Sequence, residues 1–283
     1  MSPPAGRPRL AVTLGDPRGI GPEVVRKALV APLDADVTLV GTEHEAGLSE
    51  EQAGRAAGQA IEEAAQLALG GAVDAIVTGP VHKHALHVAG YRYPGVTEFL
   101  AHLAGDVPVA MLLTTGTLRV VLVTTHLALR DVPAHLTTER IVQAGRITAD
   151  ALRRWWGIAA PRLAVCALNP HAGEGGLFGD EDARVLRPAA KTLGAAGPLS
   201  ADTVFVKALR GDFDAVLAPY HDVGMTAVKV AGFGTGVNVT LGLPFIRTAP
   251  DHGTAFDIAR TGKADAGSMR AALELAVRLA KRR

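Results

Sequence analysis

Short apolar runs recur along this chain, and they limit what it can fold into. They are Leu10–Leu14 (LAVTL), Val37–Gly41 (VTLVG), Val73–Thr78 (VDAIVT), Leu118–Thr125, Arg162–Leu168 and Asp214–Pro219. Each is too short for a helix of ordinary length and reads as a buried strand. Between them lie stretches with helical periodicity. Glu50–Leu69 is alanine-rich and free of proline; Thr137–Trp155, Ala183–Leu193 and Lys263–Arg283 are the others. Alternating strands and helices predict an α/β fold with a largely parallel sheet. Val109–Thr114 and Leu118–Thr125, joined by TTGT, predict a hairpin and hence a mixed sheet, in two lobes. No internal repeat, linker or low-complexity tract is evident, so residues 1–283 read as one catalytic chain of two interleaved lobes.

Composition excludes several classes. A chain of 283 residues with 48% hydrophobic and 20% charged residues can bury a large core. A formal net charge of +1 gives no electrostatic case for nucleic acid or an anionic membrane surface. No apolar run approaches the ~18 residues of a membrane span, and the first ten residues lack the apolar core of a secretion signal. The single cysteine, Cys166, lies in an apolar run and cannot form an internal disulfide, so a reducing cytoplasm is the expected location.

The chemistry-bearing residues follow the strands. His126 comes after VVLVTT, His171 after LAVCALNP, and His221 after AVLAPY. Strand ends of an open α/β sheet converge on the ligand crevice. Three imidazoles there can hold a divalent metal and leave positions open for substrate. Asp222 is placed to orient a ligating histidine, and His252 to stand behind the ligands or face the substrate. His82, His84 and His87 lack the helical i, i+4 metal spacing and read mostly as surface residues, with Lys83 the better ligand among them. Gly15–Val25 (GDPRGIGPEVV) predicts a strand–loop–helix cradle, with Pro22 in the first helical turn.

The stretch Tyr220–Ala255 disperses Lys229, Asn238 and Arg247 among glycines and aliphatic residues. One lysine and one arginine in apolar surroundings imply a small anionic metabolite, a phosphate or carboxylate. Thr97, in PGVTEF, caps a helix or reaches into a site.

Taken together, the blocks TLGDPRGIGPE, VTGPVHK, TTHLALRDV, NPHAGEGGLFGDE, YHDVG and GFGTGVNVTLGLPFIRT make the chain resemble the 4-hydroxythreonine-4-phosphate dehydrogenase family of pyridoxal phosphate biosynthesis, nearly end to end. That resemblance implies an isocitrate/isopropylmalate dehydrogenase-like fold and a homodimer with its active site at the subunit interface. It implies metal ligands at His126, His171 and His221, the last from the partner subunit, and substrate contacts at Thr97, Lys229, Asn238 and Arg247. It implies oxidation and decarboxylation of 4-hydroxythreonine 4-phosphate to 3-amino-2-oxopropyl phosphate, with NAD or NADP as hydride acceptor. Zinc, cobalt, nickel, magnesium or manganese would serve as the metal. Asp222, Asp202 and a lysine such as Lys229 are the candidate proton acceptors.

Two departures stand out. The family usually has a histidine before the threonine of Thr97; here Val96 stands in that place, so one donor near the substrate is missing. The segment between Gly41 and Val73 is also shorter than the family's. Relatives that oxidise 4-phosphorylated threonate or erythronate, or a terephthalate cis-dihydrodiol, are therefore alternatives. A metal-dependent hydrolase or a non-catalytic metabolite binder would use the same residues without a nicotinamide.

Overall fold

The structure, a computed structural model, describes residues 6–45 and 47–282. The chain forms two compact units, one made of residues up to Val109 together with Val237 onward, the other of Ala110–Gly236.

The first unit opens with β1 (Arg9–Thr13), α1 (Gly21–Val30), β2 (Asp36–Val40), α2 (Glu50–Leu69), β3 (Ala75–Thr78), α3 (Lys83–Val88) and α4 (Val96–Leu103). The second runs from β4 (Ala110–Thr115) and β5 (Leu118–Leu122) through α5 (Val132–His135), α6 (Thr138–Trp156) and β6 (Leu163–Cys166). It continues with α7 (Arg187–Leu193), β7 (Ala196–Leu199), α8 (Ala201–Leu209), β8 (Ala215–Ala218) and α9 (His221–Gly232). The chain then returns to the first unit with β9 (Val237–Leu241), β10 (Ile246–Pro250) and α10 (Gly267–Ala280).

Most predicted elements lie where the patterning puts them. α2 begins at a capping box in which Ser49 Oγ accepts from the Gln52 N–H and the Gln52 side chain accepts from the Ser49 N–H. α6 begins at Thr137, whose hydroxyl accepts from the Arg140 N–H at 3.2 Å. β7, β9, β10, α3, α5, α8 and α9 are not predicted: β7 and α8 fall in a stretch without clear periodicity, and α9 carries three glycine or β-branched residues in its first half. The glycine-rich stretch after His221 is thus helical before it becomes β9 and β10.

Each unit holds a mixed, largely parallel sheet. In the first the strand order is β2-β1-β3-β10-β9, with only β9 antiparallel to its neighbour. In the second it is β4-β5-β8-β6-β7, with only β4 antiparallel. Ile61, Phe99, Leu100 and Phe245 build the core over the first sheet; Val204 and Val228 pack onto Leu113, Val120 and Val216 of the second. Each such side chain, fully buried, contributes about 1.5–3 kcal/mol of transfer free energy.

The expectation of no repeat is corrected here. β1, β2 and β3 pair as β6, β7 and β8 do, and the strand parallel to β3 (β10) and to β8 (β5) is in each case the second arm of an antiparallel hairpin. The sequence carries the trace: RLAV opens both β1 (Arg9–Val12) and β6 (Arg162–Val165), and ALGGAVDAIV (68–77) matches ALRGDFDAVL (208–217). Gly71 and Gly211, which both need positive φ (71° and 88°), end the two helices alike. One clamp recurs too. Asp74 accepts from the Arg9 backbone N–H and its guanidinium, Asp214 from those of Arg162, and each aspartate N–H donates back to the arginine carbonyl. The repeat escapes a linear reading because one copy is circularly permuted: in the first unit the hairpin and its helix come last in the chain rather than first.

Candidate active site

The three histidines all belong to the second unit, on loops that follow its parallel strands. His126 is exposed, four residues past β5. His221 is the first residue of α9, directly after β8. Their rings lie 5.6 Å apart, centroid to centroid. Two imidazoles on one zinc at ~2.1 Å would place their centroids about 5 Å apart, close to this spacing within one chain, whereas the resemblance takes the His221 ligand from the partner subunit. The His221 Nδ1–H donates to Asp222 Oδ1 at 2.6 Å, which leaves Nε2 as the ligating atom. The Asp222 carboxylate thus contacts the His221 ring directly.

His171 sits in a run of left-handed residues, with φ of 51° at His171, 56° at Ala172 and 41° at Glu174. Non-glycine residues in that region cost roughly 1–2 kcal/mol each, and such strain concentrates at functional sites. The loop is pinned at its base. Asp182, 1% exposed, accepts from the backbone N–H of Leu168 and Asn169 at 2.9 and 3.0 Å. Among the described residues of one chain, no three His, Cys, Asp or Glu side chains form a metal-binding group.

Lys229 is half-buried about two turns beyond His221 on α9, with Nζ 5.6 Å from the centre of the Phe233 ring. Asp202 lies on α8, in the wall of an apolar groove that also includes Tyr220 and Asp222. Cys166 is buried in β6, where desolvation, aided by the nearby Asp182 charge, pushes its thiol up to about 12; it is no nucleophile.

The anion-binding candidates of the first unit form a second group. Arg247 on β10 is 5% exposed. Its Nε and Nη2 donate to Thr78 Oγ1 at 3.1 and 2.6 Å, and its Nη1 to Thr240 Oγ1 at 3.0 Å. Thr97 Oγ1 lies 3.3 Å from Thr240 Oγ1. Thr97 is therefore no helix cap, since Gly95 takes that position, and its buried hydroxyl reaches into the group. Asn238 shares a face of β9 with Thr240, and its Oδ1 is buried with no hydrogen-bond partner among the described residues. Desolvation pushes the Arg247 guanidinium down to about 10, against the opposing pull of the Glu98 charge. A buried cation held only by hydroxyls is suited to an incoming anion. Thr78 and Thr240 are absent from the sequence-level candidates. Nothing in the linear order places β3 and β9 on either side of β10.

The loops of the first unit that correspond to the histidine loops carry Arg18, His82 and His252. Arg18 is held in a bidentate pair by the buried Asp16 and lies 5.1 Å above the Phe256 ring. His82 is half-buried, edge-on to the same ring at 5.2 Å, while His84 and His87 are exposed as expected. Val96, at the start of α4, packs with Tyr93 and Tyr91 against the Phe99 cluster and offers no donor.

A model of the family described as pyridoxal phosphate biosynthetic protein PdxA matches residues 20–276. The chain is 42% identical to a 4-hydroxythreonine-4-phosphate dehydrogenase of Geobacter metallireducens, covering 98% of this chain and 97% of the relative. It is 43% identical to a D-threonate 4-phosphate dehydrogenase of Salmonella typhimurium, covering 96% and 98%. A crystal structure of 4-hydroxythreonine-4-phosphate dehydrogenase from Klebsiella pneumoniae superposes with a TM-score of 0.83 at 41% identity, over 96% of this chain and 99% of that one. A β-decarboxylating dehydrogenase from Thermococcus kodakarensis shares the fold at 16% identity, with a TM-score of 0.52 over 95% of this chain and 81% of that one. These matches run nearly the whole length of both partners and converge on one description: the chain belongs to the pyridoxal phosphate biosynthetic protein PdxA family of dehydrogenases.

Proposed function

We propose that this chain catalyses the NAD(P)-linked, metal-dependent oxidation and decarboxylation of a phosphorylated hydroxy acid, with 4-hydroxythreonine 4-phosphate as its substrate. The observation that carries this reading is the buried Arg247, whose direct contacts are hydroxyls and whose charge awaits an anion. When bound, the divalent ion supplies Lewis acidity to the substrate hydroxyl and to the charge that develops as carbon dioxide leaves, and the nicotinamide takes the hydride.

The chain's own residues do the rest. His126 and His171 of one subunit and His221 of the partner subunit hold the ion, and the Asp222 carboxylate keeps the histidine beside it in one tautomer and one orientation. Arg247, Thr97, Asn238 and Lys229 bind and orient the phosphate or carboxylate of the substrate. The enzyme is a homodimer whose active site lies at the subunit interface. An apolar groove of about 580 Å³ along α8 and α9, ending at Tyr220 and Asp222 beside His221, supports a second copy as its cover. Val230 and Phe233, 83% and 85% exposed, extend that face.

The test is nicotinamide reduction, followed by near-ultraviolet absorbance, in protein loaded separately with zinc, cobalt, nickel, magnesium or manganese. NAD and NADP are each supplied with 4-hydroxythreonine 4-phosphate, D-threonate 4-phosphate and D-erythronate 4-phosphate. Turnover of the first compound supports the reading, and no turnover of any of them overturns it. Turnover of D-threonate 4-phosphate alone supports a second reading. Val96 keeps that alternative open, because it sits in an apolar cluster where the family usually presents a histidine donor to the substrate.

A further inference from the structure

The repeat supplies an internal control for the anion site. Aligning the two units by strand register places Arg247 of β10, the partner of Ile76, at the position of Val120 of β5, the partner of Val216. Thr78, two residues beyond Ile76, corresponds to Ala218. Thr240, which faces Arg247 across the hairpin, corresponds to Leu113, which faces Val120. In the second unit all three positions are apolar and 0–2% exposed. This fold therefore builds the same place without any polar atom. In the first unit it holds a buried guanidinium and two buried hydroxyls, at a desolvation cost the architecture does not require.

Three arginines beside other strands of the chain are held by carboxylates: Arg9 by Asp74, Arg18 by Asp16, Arg162 by Asp214. Carboxylates fix a guanidinium but cancel its charge. Thr78 and Thr240 fix it with neutral acceptors. The single Thr78 oxygen takes one N–H from Nε and one from Nη2, and Thr240 takes one from Nη1. One N–H then remains on each terminal nitrogen, enough for a two-pronged grip on an anionic oxygen pair. Through its 3.3 Å contact with Thr240, Thr97 is tied to the same frame.

We propose that Thr78 and Thr240 are positioning residues that hold Arg247 in one orientation with its charge uncancelled, and so set the affinity of the site for the anionic group of the substrate. This rests on the reading of Arg247 as an anion contact given above.

The experiment uses the full chain, with inorganic phosphate as the calorimetric probe and turnover of the phosphorylated substrate as the second readout. Thr78→Val is expected to weaken phosphate binding and raise the substrate KM roughly 10-fold or more, with kcat and the nicotinamide KM changed far less. Thr78→Ser, which keeps the hydroxyl, is expected to restore both to within about 3-fold of the parent. A folded Thr78→Val protein with parental phosphate affinity and KM overturns the proposal, as does a Thr78→Ser protein no better than Thr78→Val. A triple variant patterned on the other unit, Thr78→Ala with Arg247→Val and Thr240→Leu, separates support of the fold from support of the site. It is expected to melt at or above the parental temperature and to bind no phosphate; a marked fall in melting temperature means the trio is structural and overturns the proposal. Arg247→Gln tests the underlying reading. If phosphate affinity is unchanged in Arg247→Gln, the anion site itself is misassigned; if it falls there but not in Thr78→Val, only the positioning role fails.

Discussion

Arg247 and His221 show two ways in which one residue depends on its neighbour. Burial lowers the arginine to about 10 from its ordinary 12.5. At neutral pH it stays charged, and the cost of that charge, roughly 3 kcal/mol by linkage, is fully present below pH ~10 and fades above it. The Glu98 charge offsets only part of that cost, and the guanidinium donates its hydrogen bonds to the hydroxyls of Thr78 and Thr240, which is why the position is informative. His221 is the opposite case, proposed as a metal ligand and already paired with Asp222. Replacing Asp222 by Asn keeps the shape but removes the charge behind Nδ1. Metal affinity, measured by competition with a chelator, is expected to fall about 10–100-fold, while the melting temperature of the metal-free protein changes little. Unchanged metal affinity would show that the 2.6 Å contact is incidental.

At the scale of elements, α2 and the strand clamps carry the sharpest expectations. α2 packs so closely on α3 that a Cβ on Gly54 would lie 2.0 Å from the Ala85 carbonyl oxygen. Helix propensity alone says Gly54→Ala should stabilise by about 1 kcal/mol. Overpacking against a backbone atom typically costs about 1–3 kcal/mol and should win. Urea melts are expected to show a net loss of stability, and a gain would mean that α3 moves aside at little cost.

The clamp between β6 and β8 makes a pH prediction. Burial of Asp214 disfavours its charge, but the Arg162 guanidinium and backbone N–H outweigh that, with help from Arg119, and hold the carboxyl below its ordinary range. A carboxyl with a depressed folded pKa stabilises the fold above its unfolded value, and that contribution is lost as pH falls through the folded value. Asp214→Asn is therefore expected to melt lower than the parent at neutral pH, by about 1–2 kcal/mol. The two should converge under acid conditions, well below pH ~4. A constant gap across pH would assign the effect to lost shape rather than charge.

At the scale of the whole molecule, the permuted repeat makes its own prediction. Arg7 and Lys281, close in sequence to the two ends, both pair with Asp34, the first at 3.3 Å. Joining the termini through a short flexible linker and opening the chain between Val109 and Ala110 would give both units the same linear order, hairpin first. Such a permutant is expected to fold, with parental far-ultraviolet circular dichroism and a melting temperature within a few degrees, because no described strand pair is broken within either unit. Failure to fold would show that the Val109–Ala110 connection itself holds the structure together.

Much of this was open to the sequence. Apolar runs ending in loops located seven of the ten strands closely, because a buried strand must shed its polar residues wherever it falls in the chain. The same logic placed His126, His171 and His221 just past buried strands, where the structure has them. Arg247 stood out because a cation in an apolar run needs a reason. Other features depended on neighbours distant in sequence. α9 was hidden by its glycines and β-branched residues, and it forms because Val228 buries against the second sheet. Thr78 and Thr240 looked like any strand threonine until the pairing order set them on either side of Arg247, 169 and 7 residues away along the chain. The repeat could be read only once strand order had undone the permutation. Local pattern records how each segment meets water or core; which segments become neighbours is decided by sheet assembly, and that is where the buried group of Arg247, Thr78 and Thr240 and its apolar counterpart arise.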